Sequence, residues 1–200
     1  MAGAAEKLIE PDDFLAWCAT QEERYELVDG EIRMLHDPVD GEFGMMAGAS
    51  DRHDQIVVNL IAALHDRLKG SPCRPRTADM AVRTKRHTSR RPDVTVDCGD
   101  TKDTAMEPSG ATAVFEVLSP STRQTDLVRK LDEYRALASL RHVVLVEPGS
   151  AAVIAYSRAD DDGEWSARDI DEFEEEIELA AISVTLSMAD VYADVTFDGA

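Results

Sequence analysis

Three observations in the sequence predict a mixed fold of the α/β or α+β class, with a central mixed β-sheet flanked by helices and an N-terminal β-hairpin. Two strand-like runs, Arg24-Tyr25-Glu26-Leu27-Val28 and Glu31-Ile32-Arg33-Met34-Leu35, flank Asp29-Gly30, the residue pair that a type I′ hairpin turn selects. Ile56, Val57, Leu60, Ile61, Leu64 and Leu68 recur at helical spacing. Two short apolar runs, Ala113-Val114-Phe115-Glu116-Val117-Leu118 and His142-Val143-Val144-Leu145-Val146, read as buried strands.

The elements follow in order. Residues 12–19 fit a short helix with Phe14, Leu15 and Cys18 on one side. Ser50 or Asp51 is placed to cap the helix that carries the Ile56–Leu68 stripe, and Gly70-Ser71-Pro72 ends it. Residues 79–84 and 92–96 read as strands, with the basic stretch 83–91 between them. Ser119-Pro120-Ser121-Thr122 stops the run through Glu116. Ser121-x-x-Gln124 is a capping-box candidate for a helix striped by Leu127, Leu131, Tyr134 and Leu137. Residues 153–156 and 165–170 flank Asp160-Asp161-Asp162-Gly163 as a further hairpin, and residues 187–192 fit a closing short helix. With neither repeat nor linker in sight, residues 12–195 read as one domain with loose ends at 1–11 and 196–200.

Composition narrows the function classes. Apolar residues form 44% of the chain, which suffices for a globular core. No apolar run approaches the roughly 20 residues that cross a bilayer, so no membrane role is expected. The first residues carry acids early and lack an apolar stretch, unlike a secretion signal, so cytoplasmic residence is expected. Cys18, Cys73 and Cys98 are widely spaced and odd in number, which predicts buried or idle thiols and neither a disulfide framework nor a zinc site. The net charge of −19 repels phosphates at long range and speaks against non-specific nucleic-acid binding. That charge is uneven. Residues 160–178 hold eleven acids and one arginine, whereas residues 67–91 hold nine of the 21 basic residues. The basic stretch reads either as a local positive patch or as a solvated loop.

Glu116 is the most informative residue. A carboxylate inside an apolar strand costs several kcal/mol unless a partner or a metal compensates it. Asp93, after Pro92 and ahead of Val94-Thr95-Val96, could meet it if the two strands run side by side. Two hard oxygen ligands suit Mg²⁺ or Mn²⁺ better than zinc. The competing reading makes Asp93 a turn cap and Glu116 the partner of Lys130 or of an arginine. Thr122, Asp126, Lys130 and Tyr134 lie four apart and so share a helix face, from which Lys130 could reach the carboxylates or could simply pair with Asp126 in solvent. His53 lies on the stripe face of its helix, either near a site or as a satisfied core or capping histidine, and His87 in the basic stretch reads as solvated. Nucleotide-binding glycine loops, HExxH, GxSxG and EF-hand patterns are all missing from the sequence.

In their order along the chain, Tyr25-Glu26-Leu27-Val28-Asp29-Gly30-Glu31-Ile32, His53, Arg91-Pro92-Asp93-Val94, Glu116-Val117-Leu118-Ser119-Pro120-Ser121-Thr122 and the Asp126, Lys130, Tyr134 helix resemble the bacterial Uma family of restriction-endonuclease-like proteins, within the PD-(D/E)XK nuclease superfamily. The resemblance covers roughly residues 14 to 192. It implies a restriction-endonuclease-like core, with Asp93, Glu116 and the Val117 carbonyl as ligands of Mg²⁺ or Mn²⁺. The superfamily's lysine stands two residues after the glutamate, where this chain has Leu118, and Lys130 is the candidate for a displaced lysine. Glu26, His53, Asp126 and Tyr134 are candidate accessory residues. The implied activity is Mg²⁺-dependent endonucleolytic cleavage of DNA, with Arg83, Lys85, Arg86, Arg90 and Arg91 on the DNA backbone and a homodimer pairing two sites. The alternatives are a nuclease-fold binding or regulatory module with a protein partner, which the negative charge and Leu118 favour, and hydrolysis of another phosphoester.

Overall fold

In the Asp29-Gly30 turn both residues have positive φ, 51° and 83°, which the type I′ turn requires. A side chain on Gly30 would also collide with Leu8, whose atoms come within 2.8 Å of the Cβ position. The computed structural model describes residues 8–35, 50–100, 102–118 and 124–197, with the side chains of residues 124–126 excepted. Ser121, Thr122 and the side chain of Asp126 therefore lie outside the described residues.

Helix α1 (Pro11–Cys18) precedes the hairpin of β1 (Tyr25–Val28) and β2 (Glu31–Met34). Helix α2 (Asp51–Arg67) starts at Ser50, whose hydroxyl accepts the His53 backbone N–H at 3.2 Å. Strands β3 (Arg74–Thr77), β4 (Val82–Lys85), β5 (Thr88–Arg90), β6 (Val94–Asp97) and β7 (Ala111–Val117) follow. Then come α3 (Gln124–Arg135), β8 (His142–Glu147), β9 (Ala152–Ser157), β10 (Ser166–Ile170), β11 (Glu176–Leu179), β12 (Val184–Ser187) and α4 (Met188–Val191). Ser187 and Asp190 form a reciprocal capping box on α4.

The central sheet has six strands in the order β10-β9-β8-β7-β6-β3. It is mixed as expected, antiparallel except for the β7–β8 pair, which α3 connects. A four-stranded sheet, β2-β1-β5-β4, stands beside it, and β11 and β12 form a separate pair. Alternation along β7 sorts its side chains. Ala113, Phe115 and Val117 pack with Ile56, Leu60 and Leu64 of α2, whereas Val114 packs with Tyr134 of α3. The sheet is thus covered by α2 on one face and α3 on the other.

Two sequence expectations are corrected. The basic stretch between the expected strands is itself the β4–β5 hairpin, with β4 shifted to Val82–Lys85. The cysteines are not all free thiols: Cys73 and Cys98 form a disulfide, and Cys18 alone is free. Antiparallel pairing of β3 with β6 aligns Arg74 with Asp97, which sets the next residues outward, Cys73 and Cys98, opposite each other. Without β3 recognised as a strand, nothing in the spacing brings those cysteines together.

His142 at the start of β8 is buried, and its Nε2 accepts the Ala181 backbone N–H at 3.1 Å. Burial, and next the charge of Arg141, push its pKa down to about 4. The unfolded histidine titrates near 6.5 and so binds more protons than the folded one between these values. Stability therefore rises with pH from about 4 to about 6.5, by up to about 3 kcal/mol in all. A His142→Gln variant keeps an acceptor without the proton. Urea unfolding at pH 7 and pH 4.5 is expected to show wild type losing more stability on acidification than the variant; equal losses would contradict the assignment.

Candidate metal centre

The β5–β6 connection, Arg91-Pro92-Asp93, carries the chain from the four-stranded sheet to the central one and delivers Asp93 to the C-terminal end of β7. There the Asp93 Oδ2 accepts the Val117 backbone N–H at 2.8 Å. Its other oxygen lies 3.5 Å from Nε2 of His53, in the first turn of α2. Glu116, next to Val117, points to the α3 face. Tyr134 donates its hydroxyl to Glu116 Oε1 at 2.6 Å, and Nζ of Lys130 stands 3.3 Å from each Glu116 oxygen. Lys130 also lies 3.7 Å from Glu26 Oε1, so β1 contributes to the same cluster.

The electrostatics follow from burial. Desolvation pushes Glu116 up to about 7; Lys130 pulls against it, Asp93 pushes with it, Tyr134 opposes and Glu26 adds to the rise. Tyr134 is held well above its ordinary value by burial and by the neighbouring carboxylates. His53 is raised although burial works against it, because the Asp93 hydrogen bond and charge, the charge of Asp54 and the Val117 carbonyl together prevail.

The structure thus brings together Asp93, Glu116, the Val117 backbone, Lys130, Tyr134, His53 and Glu26. Lys130 reaches the glutamate that Leu118 cannot serve. Leu118 instead lines, with Arg52, Gln55 and Glu147, an open cleft of about 540 Å³ beside the cluster. Among the described residues no three His, Cys, Asp or Glu side chains converge as a metal-binding group. The donor set still fits a hard divalent ion when the Val117 carbonyl completes it, since two carboxylates and a carbonyl are oxygen donors of the kind Mg²⁺ takes alongside water. A buried glutamate with two other carboxylates in its field is also a place where a cation lowers the energy.

The expected DNA-contacting residues divide. Arg90 is 1% exposed and Arg91 7%. Arg90 donates to Glu26 at 3.0 Å and to both oxygens of Glu133, at 2.8 and 3.2 Å. Arg91 donates to the carbonyls of Tyr25, Ala78 and Asp79. Side chains so placed cannot meet a phosphate backbone, and the expectation for these two is corrected: alternation in β5 turns Arg90 inward and the strand-to-strand crossing buries Arg91. Arg83 pairs with Asp12 and Glu107, Lys85 is half-exposed beside Glu133, and Arg86 is exposed in the hairpin turn.

Sequence reasoning missed Glu133. It is fully buried, and Thr84, Lys85, Arg90 and Arg129 all address it. Burial would raise its pKa, but these cations, Arg90 foremost, hold it low. The available signal was its place three residues beyond Lys130, which sets it near the same helix face.

Comparison with known proteins follows the same lines. The Uma2 family, described as "Putative restriction endonuclease", matches residues 11–190. The uncharacterized protein slr1290 of Synechocystis sp. is 28% identical over 194 residues, covering 94% of each chain. The crystal structure of a "putative nuclease belonging to DUF820" from Anabaena variabilis superimposes with a TM-score of 0.68 at 17% identity, covering 94% of this chain and 99% of that one, and so shares the fold.

Removing Arg90 would leave Glu26 and Glu133 facing each other with their shared cation gone. Arg90→Ala is expected to cost about 3–5 kcal/mol in denaturant unfolding. Arg86→Ala is expected to stay within about 0.5 kcal/mol of wild type. Equal effects would contradict the buried role of Arg90.

Proposed function

The chain belongs to the Uma2 family, and we propose from its site that it is a divalent-metal-dependent endodeoxyribonuclease, using Mg²⁺ or Mn²⁺ to hydrolyse phosphodiester bonds. The observation that carries this reading is the position of Lys130, whose amine lies 3.3 Å from both oxygens of the buried Glu116. A cation supplied by α3 beside the glutamate supports reading Lys130 as the displaced lysine.

Asp93, Glu116 and the Val117 carbonyl would hold the ion. When bound, the ion would lower the pKa of a water ligand and draw charge from the phosphate. Lys130 holds a positive charge beside Glu116, from where it would orient the attacking water or offset negative charge developing on the phosphate oxygens. Tyr134 fixes the rotamer of Glu116, so the carboxylate is aimed before substrate arrives. Arg83, Lys85 and Arg86 are the remaining candidates for phosphate contacts, local exceptions on a chain of net charge −19. A homodimer would place two such sites on two strands.

A second reading has its own support. With Arg90 and Arg91 committed internally, the basic stretch offers little free charge to DNA, which suits a nuclease-fold module of low activity that binds a protein partner.

Cleavage of supercoiled plasmid in Mg²⁺ or Mn²⁺ tests the proposal. Wild type is expected to cut, and Asp93→Ala or Glu116→Ala to lose at least about 100-fold in rate, the scale of removing a group that acts on the reacting centre. Lys130→Ala is expected to lose a comparable factor, and Lys130→Ala with Leu118→Lys to recover part of it. Cutting by Asp93→Ala at the wild-type rate would overturn the site. Absence of cutting by wild type, with retention of a protein partner that survives neutralising Arg83, Lys85 and Arg86, would favour the binding module.

A further inference from the structure

We propose that the imidazole of His53 is a nitrogen ligand of the same cation site, sharing the ion with Asp93 and the Val117 carbonyl; this rests on the metal-dependent reading above and extends its ligand set. The position of the ring carries the inference. Ser50 caps α2 through the His53 backbone N–H, so the side chain leaves the first turn toward the end of β7. There its Nε2 is 3.5 Å from Asp93 Oδ1. The Val117 carbonyl addresses the same ring, and the Val117 N–H binds the other Asp93 oxygen. The imidazole and the Asp93 carboxylate thus stand side by side at the end of β7, next to the Val117 backbone.

A separation of 3.5 Å is at the long end for a hydrogen bond. It suits two donors on one ion. At metal–ligand distances of about 2.1 Å, two neighbouring ligands stand about 3.0–3.5 Å apart for angles between about 90° and 110°. The far nitrogen, Nδ1, is buried and has no hydrogen-bond partner among the described residues, so the polar contacts of the ring lie toward Asp93 and Val117. Glu116 faces α3, fastened to Lys130 and Tyr134, and would have to turn toward the ion to join these ligands. A nitrogen donor has a consequence for ion choice. Imidazole strengthens binding of Mn²⁺ and later transition ions more than of Mg²⁺, which prefers oxygen.

Electron paramagnetic resonance of Mn²⁺ bound to the tag-free protein reads this directly, through spin-echo modulation by a coordinated imidazole nitrogen. Calorimetric titration with Mn²⁺ and Mg²⁺ gives the affinities. Wild type is expected to show the nitrogen modulation. His53→Ala and His53→Gln, whose helix cap uses only backbone and Ser50, are expected to lose it, with Mn²⁺ affinity falling about tenfold or more and Mg²⁺ affinity falling less. Mn²⁺ bound by wild type in an Asp93-dependent way, without nitrogen modulation and indifferent to His53, would overturn this inference and leave the metal-dependent reading standing. Failure of wild type to bind Mn²⁺, or binding unchanged in Asp93→Ala, would overturn both.

Discussion

A carboxylate placed in the middle of an apolar strand sets the terms for the elements around it. Glu116 is enclosed by the central sheet on one side and α3 on the other, where an uncompensated charge costs several kcal/mol. The compensation comes from one helix, through Lys130 and Tyr134, spaced one turn apart. That helix must therefore lie at a fixed register over β7, which its packing of Tyr134 against Val114 and Val143 provides. Removing either side of the arrangement strands the other, because a lysine buried over this sheet depends on its acids as much as they depend on it.

The same reasoning extends through a second layer. Lys130 also neighbours Glu26, which Arg90 bridges to Glu133, and Arg129 ties Glu133 to Asp29 in the hairpin turn. Acids and bases alternate along this path from the central sheet, across α3, to the four-stranded sheet. The path joins elements distant in sequence, and it passes through Arg90, three residues before Asp93. The strand that anchors Arg90 therefore also fixes where Asp93 arrives. Stability and site geometry depend on the same ion pairs.

Much of this was legible in the sequence, for physical reasons that differ by element. Asp29-Gly30 announces its turn because few residue pairs accept two consecutive positive φ values. The α2 stripe shows because one face meets the sheet. Glu116 and Lys130 show because charge in an apolar strand demands a partner and a helix face lists the candidates. Arg90 and Arg91 misled because a basic run looks solvated in one dimension, while strand alternation and acids from Glu26 and Glu133 turn it inward. Strand β3, with Pro75 and two arginines on the sheet edge, carries no apolar alternation, so the Cys73–Cys98 bond that depends on its pairing was hidden too.

The state of Glu116 in the metal-free protein is the most direct test of this account. Its carboxyl carbon, labelled with ¹³C and assigned by comparison with Glu116→Gln, can be followed by NMR across pH 4 to 9. A midpoint near 7, with the carboxyl protonated below it and ionised above, is the expected result. A midpoint at or below the ordinary carboxylate value near 4.3 would mean that burial does not dominate at this strand position, and the account built on it would be contradicted.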